Sequence, residues 1–259
     1  MAKQKKPSSK SRKRRRRRGG TPALLVLLCV LIGTAAVITA MTIFFKIGQV
    51  RLTGDTRYSQ QTVAEASGLE LGANLILFDK NTVLRRIREA CPYLDTIQVR
   101  RRLPDTVEVI VTECVPVAAV RSEGSFWLMD REGKLLEKVS SAETQELPQV
   151  TGLTLVKPRA GNFAEISEED AKKPMILLLN TAEDDDILQD IGEMDFSEPY
   201  NIRFTYTARF TVNIGSTEEL DTKLRYLRLI TEEKLGSAAV GEIDVSDTQK
   251  ARFVPGTKG

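Results

Sequence analysis

The chain has 259 residues, a formal net charge of +3 and no histidine. The absence of histidine excludes Ser-His-Asp and Cys-His catalysis and any His-ligated metal centre. Three scattered cysteines, Cys29, Cys91 and Cys114, are too few for a zinc motif. The charge is unevenly placed. The first twenty residues hold eleven Lys and Arg and no acid, whereas the other 239 carry 27 basic and 35 acidic residues, a net of −8. A basic arm on an acidic body points to a membrane or nucleic-acid contact at the arm.

Gly19 to Phe45 is a run of 27 uncharged residues between Arg18 and Lys46. As a helix it spans ~40 Å, and a bilayer core needs roughly 20 apolar residues. A transmembrane helix is therefore expected over residues 22–45. The positive-inside rule places the basic tail, residues 1–21, in the cytoplasm and residues 46–259 outside. The tail then faces anionic lipid head groups, which attract each nearby Lys or Arg by about 1 kcal/mol. The rival is a cleaved signal peptide ending near Thr34-Ala35-Ala36, but the apolar run continues past it to Phe45, which favours a retained anchor. Arg14–Arg18 would bind phosphate by counterion release. With no interleaved aromatics and no folded module on that side, no nucleic-acid partner is expected.

The next segment reads β-α-α-β-β. Val50 and Leu52 alternate in "IGQVRLTG". Ser59 is an N-cap and Gly68 a stop for a first helix. Val83, Leu84, Ile87 and Ala90 share one face of a second helix, which ends before Pro92. Two strands flank Leu103-Pro104-Asp105, with Ile97 and Val99, then Val107, Val109 and Val111, pointing inward. Beyond them, "SFWLMDREGKLLEK" reads as a hairpin with Asp130 and Gly133 at its turn. "FTVNIGSTEELDTKLRYLRLITEE" reads as a strand ending at Gly215, then a helix with Leu220, Leu224 and Leu227 near one face. "GEIDVSDTQKARFVP" holds two more strand-like pieces.

This order, directly after a single anchor, resembles a POTRA domain. The string "VRRRLPDTVEVIVTECVPVA" is similar to the signature of the FtsQ/DivIB bacterial cell-division proteins. The matching positions are Arg100–Arg102, Leu103-Pro104, the alternating valines, Glu113 and Pro116-Val117-Ala118. Cys114 departs from the basic residue common after that Glu. The Trp127–Gly133 hairpin, Leu147–Gly152, Gly215 and Lys223 continue the resemblance, whereas Ser246-Asp247 stand where relatives often have Arg-Tyr. The resemblance implies an α+β chain, with a POTRA domain at 46–118, a second sheet-rich domain at 119–255 and a short tail at 256–259. It also implies a scaffold at the division septum that binds two small single-span partners, FtsL and an FtsB/DivIC-like protein, through the far end of the second domain. The last strand would supply that edge, with Lys250, Ala251, Arg252, Phe253 and Val254 as contacts. In the plainer reading, Ala251 and Phe253 pack into the chain's own core.

No catalytic residue, cofactor or metal is expected. Asp184-Asp185-Asp186 reads as a solvated helix end, because consecutive residues do not converge on one ion. Glu168-Glu169-Asp170 reads as a helix N-terminus. No Gly-x-Ser-x-Gly or exposed Ser-x-x-Lys context appears. Cys91 and Cys114 lie outside the membrane, where they either pair or stay as buried thiols. The competing functional class is a polypeptide-handling POTRA component of a secretion or assembly system, although no barrel-length alternating tail follows.

Overall fold

The computed structural model describes residues 21–256 apart from Gln145. The expected basic tail, but for Thr21, and the C-terminal residues 257–259 lie outside the described residues.

The chain opens with α1 (Thr21–Phe44). Leu24–Phe44, 21 residues, is long and apolar enough to cross a membrane. At 1.5 Å per residue this is about 32 Å, close to the ~30 Å of a hydrocarbon core. Its side chains from Leu24 to Phe44 all face away from the rest of the protein. A helix apolar on every side suits lipid better than one face of a soluble core.

Next comes a small α+β unit made of β1 (Gln49–Thr53), α2 (Gln60–Ser67), α3 (Lys80–Ala90), β2 (Leu94–Arg102) and β3 (Thr106–Glu113). The sheet order is β1-β3-β2, with β3 parallel to β1 and antiparallel to β2. Ser59 caps α2 by accepting from the Thr62 N–H at 3.0 Å, and Gly68 ends it at φ +64°. Asp79 caps α3. Val63, Val83 and Ile87 of the helices pack on Val50, Val99, Val107, Val109 and Val111 of the sheet.

One expectation about α3 fails. Ala90 is exposed, and Leu84 is only half-buried. The buried stripe follows a four-residue step, Val83, Ile87 and then Cys91, which caps the helix and is fully buried. Ala90, one residue short of that step, is turned outward.

The remainder forms a nine-stranded sheet. Its strands are β4 (Ala118–Ser122), β5 (Ser125–Met129), β6 (Leu135–Val139), β7 (Gln149–Thr151), β8 (Ile191–Asp195), β9 (Ile202–Tyr206), β10 (Phe210–Gly215), β11 (Gly241–Asp244) and β12 (Arg252–Pro255). The order is β12-β11-β10-β9-β8-β7-β4-β5-β6. Two helices, α4 (Glu169–Asp184) and α5 (Leu220–Leu229), bury Met175, Leu178, Leu179, Leu224 and Leu227 in one core with Phe204, Phe210 and Val212 of the sheet. The expected Trp127–Leu136 hairpin is β5–β6, and the two expected C-terminal strands are β11 and β12.

The α3 stripe generates a prediction. Ile87→Ala costs about 2–5 kcal/mol, the range for a fully buried aliphatic truncation. Ala90→Ser stays within ~0.5 kcal/mol, as for an exposed site. Denaturant unfolding of the full chain in detergent, followed by Trp127 fluorescence, measures both.

Candidate partner-binding edge and the junction behind it

Among the described residues, β12 is the outermost strand of the large sheet and pairs only with β11. Gly256 N–H donates to the Val240 carbonyl at 2.9 Å, which fixes the phase of this antiparallel ladder. Arg252 and Val254 therefore turn their main-chain groups toward β11, and Phe253 turns its N–H and C=O outward. Pro255, in the same outward phase, has no N–H to offer. The opposite edge, β6, is covered at its start. Leu135 N–H donates to the Asn162 carbonyl at 2.8 Å, and Gly161 N–H donates to the Leu135 carbonyl at 2.7 Å.

The five residues proposed for this edge occupy different environments. Lys250 and Ala251 are exposed in the turn leading into β12, and Arg252 and Val254 are exposed on the strand. Phe253 is half-buried, its ring edge-on to Phe210 at 6.2 Å and 77°. Its side chain thus belongs to the chain's own core, while its main chain faces out. Cross-strand pairing sets Arg252 opposite Asp244. Burial works to raise the Asp244 carboxyl, but hydrogen bonds from Ser246 and the Arg252 charge outweigh it and leave it below the usual range.

The turn beside this edge is held by two residues of the family resemblance. Lys223 is buried and donates to the Ile214 and Ser216 carbonyls at 3.0 and 2.8 Å, and burial lowers its pKa. Gly215 has φ +63°, and a Cβ there would meet the Ser246 side chain at 3.0 Å.

At the other end of the large sheet lies the junction with the small one. Lys134, in the β5–β6 turn, reaches across to the carbonyl of Leu94 on β2 at 2.9 Å. Its ammonium lies 3.5 Å from the Asp130 carboxylate, both side chains being almost wholly buried at 6% and 4% exposure. Asp130 also accepts from the Glu132 and Lys134 N–H groups. Around this pair, Tyr93 and Cys114 pack with Ala119, Phe126, Leu128, Leu136 and Val139. The Tyr93 hydroxyl donates to Glu137 of β6. Burial, then that carboxylate, pushes the Tyr93 phenol well above its ordinary range.

The Arg57 guanidinium stacks 3.6 Å from the Tyr93 ring centroid and binds Glu113 at 2.6 Å. Burial acts to raise Glu113, but the Arg57 hydrogen bonds and charge prevail and lower it. Cys91 and Cys114 are both free and buried, in separate clusters. The Asp184–Asp186 run ends α4, with Asp184 and Asp186 exposed. Among the described residues no group of three or more potential ligands gathers for a metal.

Two consequences are measurable. Lys134→Met leaves Asp130 buried without its cation and costs about 3–5 kcal/mol, of which Asp130→Asn in the same chain restores a large part. Glu113 has its pKa lowered by folding, so its contribution to stability is present above its ordinary pKa of about 4.3 and is lost as pH falls through the lower folded value. Glu113→Gln makes the acid limb of the stability–pH profile shallower. Unfolding curves across that range read the change.

A family model described as "POTRA domain, FtsQ-type" matches residues 45–113, and one described as "Cell division protein FtsQ/DivIB, C-terminal" matches residues 118–246. The second match ends before β12. The "Cell division protein DivIB" of Clostridium botulinum (strain Loch Maree) is 23% identical over 208 residues, covering 78% of this chain and 79% of that protein. The DivIB of Clostridium acetobutylicum is 26% identical over 204 residues, covering 78% and 80%. The "Cell division protein FtsQ" of Thioalkalivibrio sp. is 39% identical over 112 residues, covering 41% and 42%. With both matched regions coinciding with the two sheet units behind one apolar helix, the chain belongs to the FtsQ/DivIB family of cell-division proteins.

Proposed function

We propose that this protein is a non-catalytic, single-span scaffold of the bacterial divisome. Its N-terminus lies in the cytoplasm and its two folded units, residues 46–118 and 119–255, lie outside at the septum. There it binds two small membrane-anchored partners, FtsL and an FtsB/DivIC-like protein, and helps coordinate septal wall synthesis. The observation that carries this reading is the outer edge of β12, which no other strand among the described residues covers. An edge whose main chain faces solvent gains hydrogen bonds when another chain adds a strand. Its position supports a bridging role. β12 stands eight strands from β6, roughly 38 Å at ~4.8 Å per strand, so a partner on this edge is held well away from the junction.

Copurification of the full chain from detergent extracts tests the edge. Val254→Lys and Arg252→Gln change exposed side chains, leave the core intact and set no like charge opposite Glu242 or Asp244, so they weaken retention of the small partners with little change in stability. Phe253→Asp weakens retention too, but it also strips the Phe210 contact and lowers stability, so it is the less informative variant. Unchanged retention in both exposed variants would remove β12 from the reading. Depletion in cells should give filaments, with a fluorescent fusion at midcell. Normal division after depletion would count against an essential divisome role.

A further inference from the structure

Apart from Val115 at the link to the large unit, the large apolar side chains that the small sheet unit exposes among the described residues stand at one end. Leu71 and Leu77, in the loop between α2 and α3, are 70% and 73% exposed, and Leu103, in the β2–β3 turn, is 64% exposed. Ile76 is exposed beside Leu77. A loop reading Leu-Ile-Leu-Phe would ordinarily collapse inward, and Leu75 does so completely. Its neighbours are held out by local bonding. The Asn74 side-chain oxygen accepts from the Ile76 and Leu77 N–H groups at 2.8 and 3.0 Å. Arg101 donates to the Leu75 and Phe78 carbonyls at 2.9 and 2.8 Å and stacks on Phe78. The loop is therefore fixed with its apolar side chains outward.

The same loop is bonded to the residues that leave α1. Leu75 N–H donates to the Phe45 carbonyl at 2.9 Å, one residue past the end of the helix, and Ile47 N–H donates to the Ala73 carbonyl at 2.8 Å. The β2–β3 turn is tied to the same exit, with Gly48 N–H donating to the Asp105 carbonyl at 2.7 Å. If Leu24–Phe44 fills the hydrocarbon core, Phe45 sits at its boundary, and both apolar loops are pinned there. Lys46 is exposed at the same level. Of the nearby acids, Asp79 is engaged as the α3 cap, Asp105 accepts from the Thr106 hydroxyl, and Glu70 stands exposed.

We propose that the α2–α3 loop and the β2–β3 turn form a membrane-seating surface, with Leu71, Ile76, Leu77 and Leu103 entering the head-group region of the bilayer around the exit of α1. Apolar side chains on such elements sit about 5–10 Å into the head-group and acyl boundary, and a neighbouring cation favours anionic lipid. The bilayer is the occupant because the main-chain bonds to Phe45, Ile47 and Gly48 leave these side chains beside the membrane helix. The seat would fix the orientation of the small unit relative to the membrane plane.

This inference rests on α1 spanning a bilayer, and the test separates the two. The full chain is reconstituted in nanodiscs whose lipids carry a nitroxide at a shallow or a deep acyl position. Leu77→Trp and, independently, Leu103→Trp should lose most of their added emission, relative to the unaltered protein, to the shallow nitroxide and less to the deep one. Tyr200→Trp, at an exposed position of the large sheet unit, should lose none. Ile32→Trp reports the span and should be quenched by the deep label. Quenching of Ile32→Trp with none at Leu77→Trp or Leu103→Trp overturns the seat alone, as does a loop tryptophan shielded from a water-borne quencher yet untouched by lipid nitroxide, which signals a protein contact. No quenching at Ile32→Trp overturns the span and the seat together.

Discussion

A lysine ammonium removed from water needs a counter-charge and hydrogen-bond acceptors, and the arrangement of this molecule depends on where Lys134 finds them. Asp130 supplies the charge from the same turn, and the Leu94 carbonyl supplies an acceptor from the other sheet. Either alone would leave the ammonium short of partners in a buried site. Because the acceptor belongs to β2, the turn is satisfied only when the two units stand in one relative position. Tyr93, placed against Glu137 on one side and Arg57 on the other, adds a second polar tie across the same seam. The apolar cluster around Cys114 fills the space between them. Breaking such a pair costs more than forming it gains, because the remaining buried charge is left uncompensated.

Much of the fold was legible in the sequence because its signals are local. Alternating valines in β3, the Ser59 and Gly68 caps of α2, and the uncharged length of α1 each state one element without reference to the others. Ala90 was misplaced because a helical face was extended by one residue, when the stripe in fact continued into the cap at Cys91. The order of the nine strands was not readable. β4 pairs with β7, and β10 with β11, through parallel contacts that no local pattern encodes.

The candidate site was partly legible. That β12 is a strand was readable from its alternation, and its use as an edge was implied only by the family resemblance, whereas the division of Phe253 into an inward ring and an outward main chain was not readable. Alternation gives a period, and the phase is set only by pairing with β11. Lys134 was invisible for a related reason. In "DREGKLLEK" it reads as one more surface lysine, and nothing short of the neighbouring β2 reveals its acceptor.

The short length of β12 limits what a backbone ladder there can supply. Phe253 offers one outward N–H and one outward C=O, and Pro255 ends the donors. A handful of hydrogen bonds, each with a net worth of about 0.5–1.5 kcal/mol, does not offset the ~4–15 kcal/mol lost in bringing two chains together. Such a ladder sets the register and direction of an added strand. Affinity would have to come from apolar area buried beyond it, against Val254 and the surfaces flanking the sheet edge. A chain that pairs with β12 must therefore be more than a strand, and the element attached to it decides how long the complex lasts.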